Sequence, residues 1–515
     1  MNNSVLLSLV YNFVFKLMDL YSHSSIHKGL EALSSKVKEL FSGSAIWYYL
    51  RTYENTSRFF EQSFFLRSIQ GCIDGFLSVL RKVFVPIWTS YTNSKAYDLL
   101  QNSLLGMIIK IITDRFVLIL CFFIFIHTTV PYHSWHNQYG AALIILITLL
   151  YLVKASSDIR YGLDIKRMDF ALVLFIISVL IGTFTSITPS SSIRTLVFNG
   201  MSFLLVLLIV NVIKSGEDIG TMIYWIIAAI TATSLLGFYQ YIKGVPVDPT
   251  LVDVTFSPGV GRVFSSMGNP NNYAEYLVLT LPFFGAAFFN TKNPYMKAAI
   301  AGLSVLPLVN LVLTSSRSGW IGFVASVFVF IFFKNRKLIP LAIVMGILAI
   351  PLIPSSIIDR LNTIGKDTST LYRLKIWEGS WRIVEDFWAT GLGLGQEPFQ
   401  RFFNKYTSAA LPAHSHMLPL QIWVELGLLG IVSFVWMVVR LVKKSMICIF
   451  EKKNEGLNNI IIACISSLTG ILVIGLFEYV WFYPRILTMF WIDISILMAA
   501  LNLQNLKTGI PLPRE

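Results

Sequence analysis

The stretch Ala413-His414-Ser415-His416-Met417-Leu418-Pro419-Leu420-Gln421-Ile422-Trp423-Val424-Glu425-Leu426-Gly427-Leu428-Leu429-Gly430 joins a polar segment, 359–415, to an apolar run that continues to residue 439. An apolar run of about twenty residues is the length of a helix that crosses the hydrocarbon core of a bilayer. Most other connections in the chain are only a few residues long. A long loop in a membrane protein is where binding and chemistry concentrate. A histidine where such a loop re-enters the membrane is a candidate proton-transfer group.

Outward from this point the apolar runs recur. Spans are predicted near 115–131, 139–153, 169–187, 194–213, 219–242, 273–290, 296–313, 319–333, 338–355, 416–439, 458–481 and 485–503, about twelve in all, the second of them short. The composition agrees: 55% of the 515 residues are hydrophobic and 13% charged, against about 25% charged in soluble domains. Mean hydropathy is +0.66. The fold class expected is an all-α polytopic membrane protein. Residues 1–113 read differently from 114–515. Apolar and charged residues interleave there, as in Lys36-Val37-Lys38-Glu39-Leu40-Phe41 and Phe76-Leu77-Ser78-Val79-Leu80-Arg81-Lys82. An N-terminal region of amphipathic helices on the cytoplasmic membrane surface fits that pattern; a partner-binding helical domain is the competing reading. Val5 to Met18 is interrupted by Lys16 and lacks a small-residue cleavage site, so it does not read as a signal peptide.

The net charge is +13. The basic residues are scattered and match no nucleic-acid module, so no nucleic-acid partner is expected. With the N-terminus inside, Lys154, Arg160, Lys166, Arg167, Lys214, Lys292, Lys297, Lys334, Arg336, Lys337, Arg440, Lys443, Lys444, Lys452 and Lys453 all fall in inner connections, as does the C-terminal tail. Two long loops, 243–272 and 359–415, then fall outside. The four cysteines have no metal-ligand spacing and lie away from the outer loops, so disulfides are not expected. The outer loops carry no Asp-x-Asp or His/Asp cluster for Mg²⁺ or Mn²⁺. Gly391-x-Gly393-x-Gly395 follows no βαβ pattern, so it reads as a bend rather than a dinucleotide site.

Arg194, Arg262, Arg317, Arg373 and Arg485 break the charge rule by lying at the outer face. Snorkelling or a local salt bridge accounts for an arginine there; an anion site is the alternative, because a guanidinium matches phosphate oxygens bidentately. His416 is open in the same way, as a general base or as an interfacial histidine satisfied by a backbone carbonyl. His133 and His136, with Trp135 and Tyr139, read as an aromatic belt. Glu425 is predicted to face a helix partner or inner cavity, as a structural salt bridge or a catalytic group, because a carboxylate facing lipid is costly. Glu478 and Asp493 are similar cases of less consequence.

Four segments in order then resemble the O-antigen ligase/polymerase superfamily of bacterial membrane glycosyltransferases: Gly261-Arg262-Val263-Phe264-Ser265-Ser266-Met267-Gly268-Asn269-Pro270-Asn271-Asn272; Leu313-Thr314-Ser315-Ser316-Arg317-Ser318-Gly319-Trp320; Arg373-Leu374-Lys375-Ile376-Trp377 with the Gly391–Gly395 run; and His416 with Gln421, Glu425, Gly427 and Gly430. The likeness covers roughly Arg194 to Trp491. It implies a GT-C-type fold, a glycan donor on undecaprenyl diphosphate, use at the outer face of the plasma membrane, and no metal or other cofactor. Arg262, Arg373 and His416 stand where the family's essential arginines and histidine stand. The chain departs from the family at Met417 after the histidine, and His414 supplies a second imidazole. The ending Phe477-Glu478-Tyr479-Val480-Trp481-Phe482-Tyr483-Pro484-Arg485 is similar to Gram-positive members.

With the family in view, Arg373 and Arg262 are expected to stabilise the leaving diphosphate, His416 to take the acceptor proton, and Arg317, His414, Trp377 and Glu425 to line the substrate site. The acceptor would be a glycan, a lipid or a cell-wall hydroxyl; ligase and polymerase are not separable from the sequence. The alternative reading is a transporter or flippase of lipid-linked glycans. Clustering of ionisable residues at one face, rather than along a central cavity, favours the enzyme.

Overall fold

The computed structural model describes residues 62–158, 160–248, 261–349, 368–407 and 411–506, with Phe60 and the isolated positions 16, 23, 28, 32 and 36 before them. Most of the region before Ser63, part of each of the two long loops expected outside and the C-terminal tail therefore lie outside the described residues. Among those described, every regular element is a helix. Three helices come first: α1 (Phe64–Thr92), α2 (Lys95–Leu100) and α3 (Leu104–Asp114). The bundle follows as α4 (Val117–Thr129), α5 (Asn137–Ser157), α6 (Phe170–Phe184), α7 (Pro189–Val212), α8 (Gly216–Lys243), α9 (Pro270–Thr280), α10 (Pro282–Asn290), α11 (Pro294–Leu313), α12 (Arg317–Asn335) and α13 (Ile339–Ala349). The long polar segment contains α14 (Thr368–Phe387) and α15 (Gln396–Tyr406). The bundle closes with α16 (Leu418–Glu451), α17 (Glu455–Gly475) and α18 (Pro484–Leu506).

Eight of these helices, α5, α7, α8, α11, α12, α16, α17 and α18, are long and apolar enough to cross a membrane, and α4 and α6 are shorter apolar helices. The span expected at 273–290 is two helices. Pro282 has no N–H to continue the ladder, and α9 gives way to α10 at Leu281. Of the span expected at 338–355, Ile339–Ala349 is α13, and residues 350–355 lie outside the described residues. The last two helices are the most enclosed: 83% of the apolar window of α17 and 89% of that of α18 are buried in the protein, so these two form the centre of the bundle. Helix α12 lies close against α17 because Gly322 and Gly470 face each other, and a Cβ on either would meet the other helix's backbone carbonyl.

The ends of the helices set the position of the site. Asn269 caps α9, its side chain accepting from the Asn271 N–H at 2.8 Å, with Pro270 in the first helical position. Ser316 caps α12. At the far end of α12, Lys334 donates to Glu455 at 3.0 Å and to Asn459 at 2.8 Å, at the start of α17. Helix α17 then returns to the end where α12 began, and residues 476–483 connect it to α18.

Candidate functional site

The described part of the polar segment has its own small core. Ile376, Ile383 and Val384 of α14 and Phe399 and Phe403 of α15 pack with Leu392 and with Leu420 and Val424 of α16. Trp377, one turn after Arg373, packs against this core. Between α14 and α15, Gly391, Gly393 and Gly395 take φ of 68°, 104° and 99°, a region that favours glycine. The glycine run lies along a break in α16. Gly427 sits inside that helix at φ 65°, ψ −161°. The break frees backbone groups, and the run satisfies them. Leu392 N–H donates to the Val424 carbonyl at 2.8 Å, Gly393 N–H to the Glu425 carbonyl at 3.0 Å, and Leu428 N–H to the Ala389 carbonyl at 3.3 Å. On its other side the run receives Ile187 N–H on the Leu392 carbonyl at 3.1 Å and the Ser192 hydroxyl on the Leu394 carbonyl at 2.8 Å. Irregular backbone at membrane depth is tolerated where protein satisfies it in this way.

Glu425 is part of the same seam. Its carboxylate accepts from the Gln421 amide at 2.8 Å, from Gly395 N–H at 3.3 Å and from the Tyr479 hydroxyl at 3.4 Å. The structural salt bridge considered for Glu425 is not found among the described residues; hydrogen bonds from three elements take its place. Gln421 also accepts from Ser415 N–H at 2.7 Å, which fixes the approach to His416.

Glu478 is the centre of the site. One carboxylate oxygen receives the Arg373 guanidinium and, at 3.4 Å, the Asn271 amide. The other lies 3.3 Å from His416 Nδ1. Asn271 in turn accepts from Arg262 at 2.8 Å, and Arg262 Nε donates to the Thr314 carbonyl at 2.9 Å. Arg262, Arg373 and His416 are thus brought into one network through Glu478 and Asn271. Arg317 begins α12 three residues after that carbonyl. In the sequence Glu478 has less weight than Glu425; in the structure Glu478 carries the contacts to both Arg373 and His416. Arg373 and His416 keep 24% and 26% of their side-chain surface exposed while Glu478 keeps 10%, so the partners face out and the carboxylate lies beneath them.

Non-glycine residues rarely adopt positive φ, which costs of order 1 kcal/mol each. Three of the four found among the described residues, Ser265 (48°), Ser315 (52°) and His416 (53°), are in the network's segments; the fourth, Lys452, caps α16. The His416 backbone is held by its neighbour: His416 N–H donates to His414 Nδ1 at 3.1 Å. The two rings are 4.2 Å apart, with Phe482 and Tyr479 at 4.6 and 5.5 Å from His414. His414 is buried. Arg485 serves a different end, donating to the Ser266 carbonyl at 2.8 Å and lying 4.9 Å over the Trp135 ring. Arg194 is exposed on α7.

Two of these groups lie outside the spans and give an acid signature. Burial, reinforced by His416, lowers His414 from the usual 6.5 to about 3. Its folded value is the lower one, so its support is full above pH 6.5 and is lost as pH falls toward about 3. For Glu478, burial pulls upward but Arg373, followed by His416, outweighs it and holds the carboxyl at about 2, below the usual 4.5. That support is present above pH 4.5 and is lost as pH falls through about 2. The melting midpoint in detergent is therefore expected to fall from pH 6.5 downward. One titrating histidine contributes about 1.4 kcal/mol per pH unit. His414→Gln should flatten the limb between pH 6.5 and 4.5; an unchanged slope would contradict a buried neutral imidazole.

Residues 302–435 match the family model described as O-Antigen ligase. That match supports the resemblance to the O-antigen ligase/polymerase superfamily over this segment of the chain. No curated protein matches the chain. The matched segment contains Arg317, Arg373, Trp377, His414, His416 and Glu425. Arg262, Asn271 and Glu478, which complete the network, come from segments on either side of it. The match supports O-antigen ligase/polymerase-type glycan transfer, and the apolar helices are those of a multi-pass membrane protein.

Proposed function

We propose that the protein is a GT-C-type glycosyltransferase that moves a glycan from undecaprenyl diphosphate to an acceptor hydroxyl at the outer face of the plasma membrane. The observation that carries this reading is Glu478, which holds an arginine and a histidine side by side at one end of the bundle. In the proposed step His416 takes the proton of the acceptor hydroxyl. The acceptor oxygen forms a bond to the anomeric carbon, and the bond from that carbon to the diphosphate oxygen breaks. The electron pair leaves with the diphosphate. Arg373, with Arg262 behind it, stabilises the charge that develops there. A guanidinium has five donors in a planar fork, so it can bind Glu478 and an anion together. A carboxylate accepting from Nδ1–H leaves Nε2 as the basic nitrogen.

Arginines supplying the counter-charge fit transfer without a metal. Attack in a single step inverts the anomeric centre. A ligase and a polymerase share this chemistry and differ in the acceptor: a second lipid-linked glycan for a polymerase, another glycan, lipid or cell-wall hydroxyl for a ligase. Transfer in proteoliposomes from a lipid-diphosphate oligosaccharide tests the reading. Wild type is expected to form product in EDTA, and its size ladder separates the two modes. His416→Ala should lose ~10²–10⁴-fold, the range of general acid–base catalysis, and Arg373→Ala a comparable amount. No product from wild type, with labelled glycan crossing the bilayer instead, would favour a flippase.

A further inference from the structure

The face of the protein opposite the site has a cavity of its own. Helix α5 starts just after Trp135, which lies under Arg485, and ends at Ser157. Its 21 residues rise about 30 Å, so its C-terminal end lies across the membrane from His416. Helices α1, α2 and α3 gather at that end. Side chains of α1 bind the backbone of the last turn of α5 and of the loop that follows it. Arg81 donates to the Ala155 carbonyl at 3.1 Å and to the Tyr161 carbonyl at 2.8 Å. Gln70 donates to the Leu163 carbonyl and accepts from Ile165 N–H, each at 3.0 Å.

Helix α1 has three faces. Leu66, Ile73, Leu77 and Leu80 pack inward. Phe65, Phe76, Val79, Val83 and Ile87 form an exposed apolar stripe beside them. Arg67, Asp74, Ser78 and Lys82 make a polar stripe. A helix fixed to a membrane bundle with one exposed apolar and one polar stripe lies along the lipid–water boundary.

Between α1, α2, α3 and the end of α5 is a cavity of about 390 Å³. Trp88, Tyr91 and Tyr97 form its aromatic wall, and Lys110, Lys154 and Arg160 its cations. Lys154 is buried, its Nζ donating to the Thr113 carbonyl and lying 3.8 Å over the Tyr161 ring. Arg160 is paired with Asp158 at 2.7 Å. Asp114 and Asp158 add carboxylates to the lining, with the amide of Gln101. Cations beside hydrogen-bond acceptors suit a phosphate that carries hydroxyls. Basic pockets between membrane helices on the cytoplasmic side are where acidic lipid headgroups bind.

We propose that this cavity holds the headgroup of an anionic phospholipid with a polyol headgroup, its chains lying along the apolar stripe of α1. The lysines bind the phosphate, the carboxylates accept from the headgroup hydroxyls, and the lipid fastens α1, α2 and α3 to the bundle.

The test is native mass spectrometry of the full chain released from detergent, with phosphatidylglycerol, phosphatidylethanolamine or phosphatidylcholine added, and separately with inorganic phosphate as competitor. Phosphatidylglycerol should be retained in preference to the other two lipids. Lys110→Met and Lys154→Met should each weaken that preference about fivefold, while Lys292→Met, on another connection at the same membrane face, leaves it unchanged. Lys110 is exposed, so its variant reports binding even where loss of the buried Lys154 unfolds the chain. Equal retention of the three lipids overturns the proposal, as does equal loss in Lys292→Met. Displacement of phosphatidylglycerol by an equal concentration of inorganic phosphate also overturns it, since the site would then take a free anion.

Discussion

Glu478→Gln is expected to lower the rate of glycan transfer ~10²-fold or more at neutral pH, the scale on which a carboxylate that orients a histidine acts. The amide is nearly isosteric but loses the charge opposite Arg373 and presents either a donor or an acceptor to His416 Nδ1. It therefore removes the preference for the tautomer with a basic Nε2. Two contacts change at once, because the same carboxylate holds Arg373 on one oxygen and His416 on the other. Glu478→Asp keeps the charge but shortens the reach, so intermediate activity is expected. The proteoliposome transfer assay, with kcat and KM measured separately, checks this. A loss in kcat fits orientation of the base, while a loss confined to KM points to donor binding alone. Transfer at the wild-type rate by Glu478→Gln would place Glu478 outside the reaction.

The second large effect concerns the seam. Gly391→Ala and Gly427→Ala are each expected to destabilise the fold by about 2–5 kcal/mol, summing the cost of a left-handed residue and of overpacking. A Cβ on Gly391 would meet the backbone of Glu425 and Gly427, and one on Gly427 the backbone of Ala389 and Thr390. Backbone held by hydrogen bonds on both sides cannot move aside as a side-chain tip would. Against the 5–15 kcal/mol that holds a typical domain together, either change should lower the melting midpoint in detergent markedly and abolish transfer. Gly302→Ala is the control: it lies in α11 with nothing near its Cβ position and should be neutral or slightly stabilising. A Gly427→Ala protein with an unchanged midpoint would contradict the docking of the glycine run on the α16 break.

What the sequence shows about this protein follows from the kind of signal each feature leaves. Uniform apolar runs mark the bundle helices because lipid demands them, and eight are helices of spanning length. The 273–290 run carries the same signal, yet Pro282 divides it, a local effect that hydropathy averages away. Arg373 stands out as an arginine at the face expected to be outer, and His416 as a histidine where the long polar segment meets an apolar run. Glu478 does not, since its partners lie 62 and 105 residues away in sequence and its neighbours Phe477, Tyr479 and Trp481 suggest an ordinary aromatic interface. Asn271 is hidden for the same reason, appearing as a capping-turn residue before its side chain joins Arg262 to Glu478. The break at Gly427 has no proline to announce it; only the glycine run at 391–395, far away in sequence, gives the freed backbone its partners. Glu425 reads correctly as a carboxylate turned away from lipid, but the hydrogen bonds that satisfy it come from Gln421, Gly395 and Tyr479, three separate segments.

Product stereochemistry tests the central claim most directly. A lipid-diphosphate donor of defined anomeric configuration, transferred by the wild-type protein in EDTA, should give a linkage of the opposite configuration by NMR. That is the outcome of one direct displacement by a hydroxyl whose proton passes to His416. A product that retains the donor's configuration would require two displacements through a glycosyl-enzyme intermediate, and would contradict the assignment of His416 as base and Glu478 as its orienting partner.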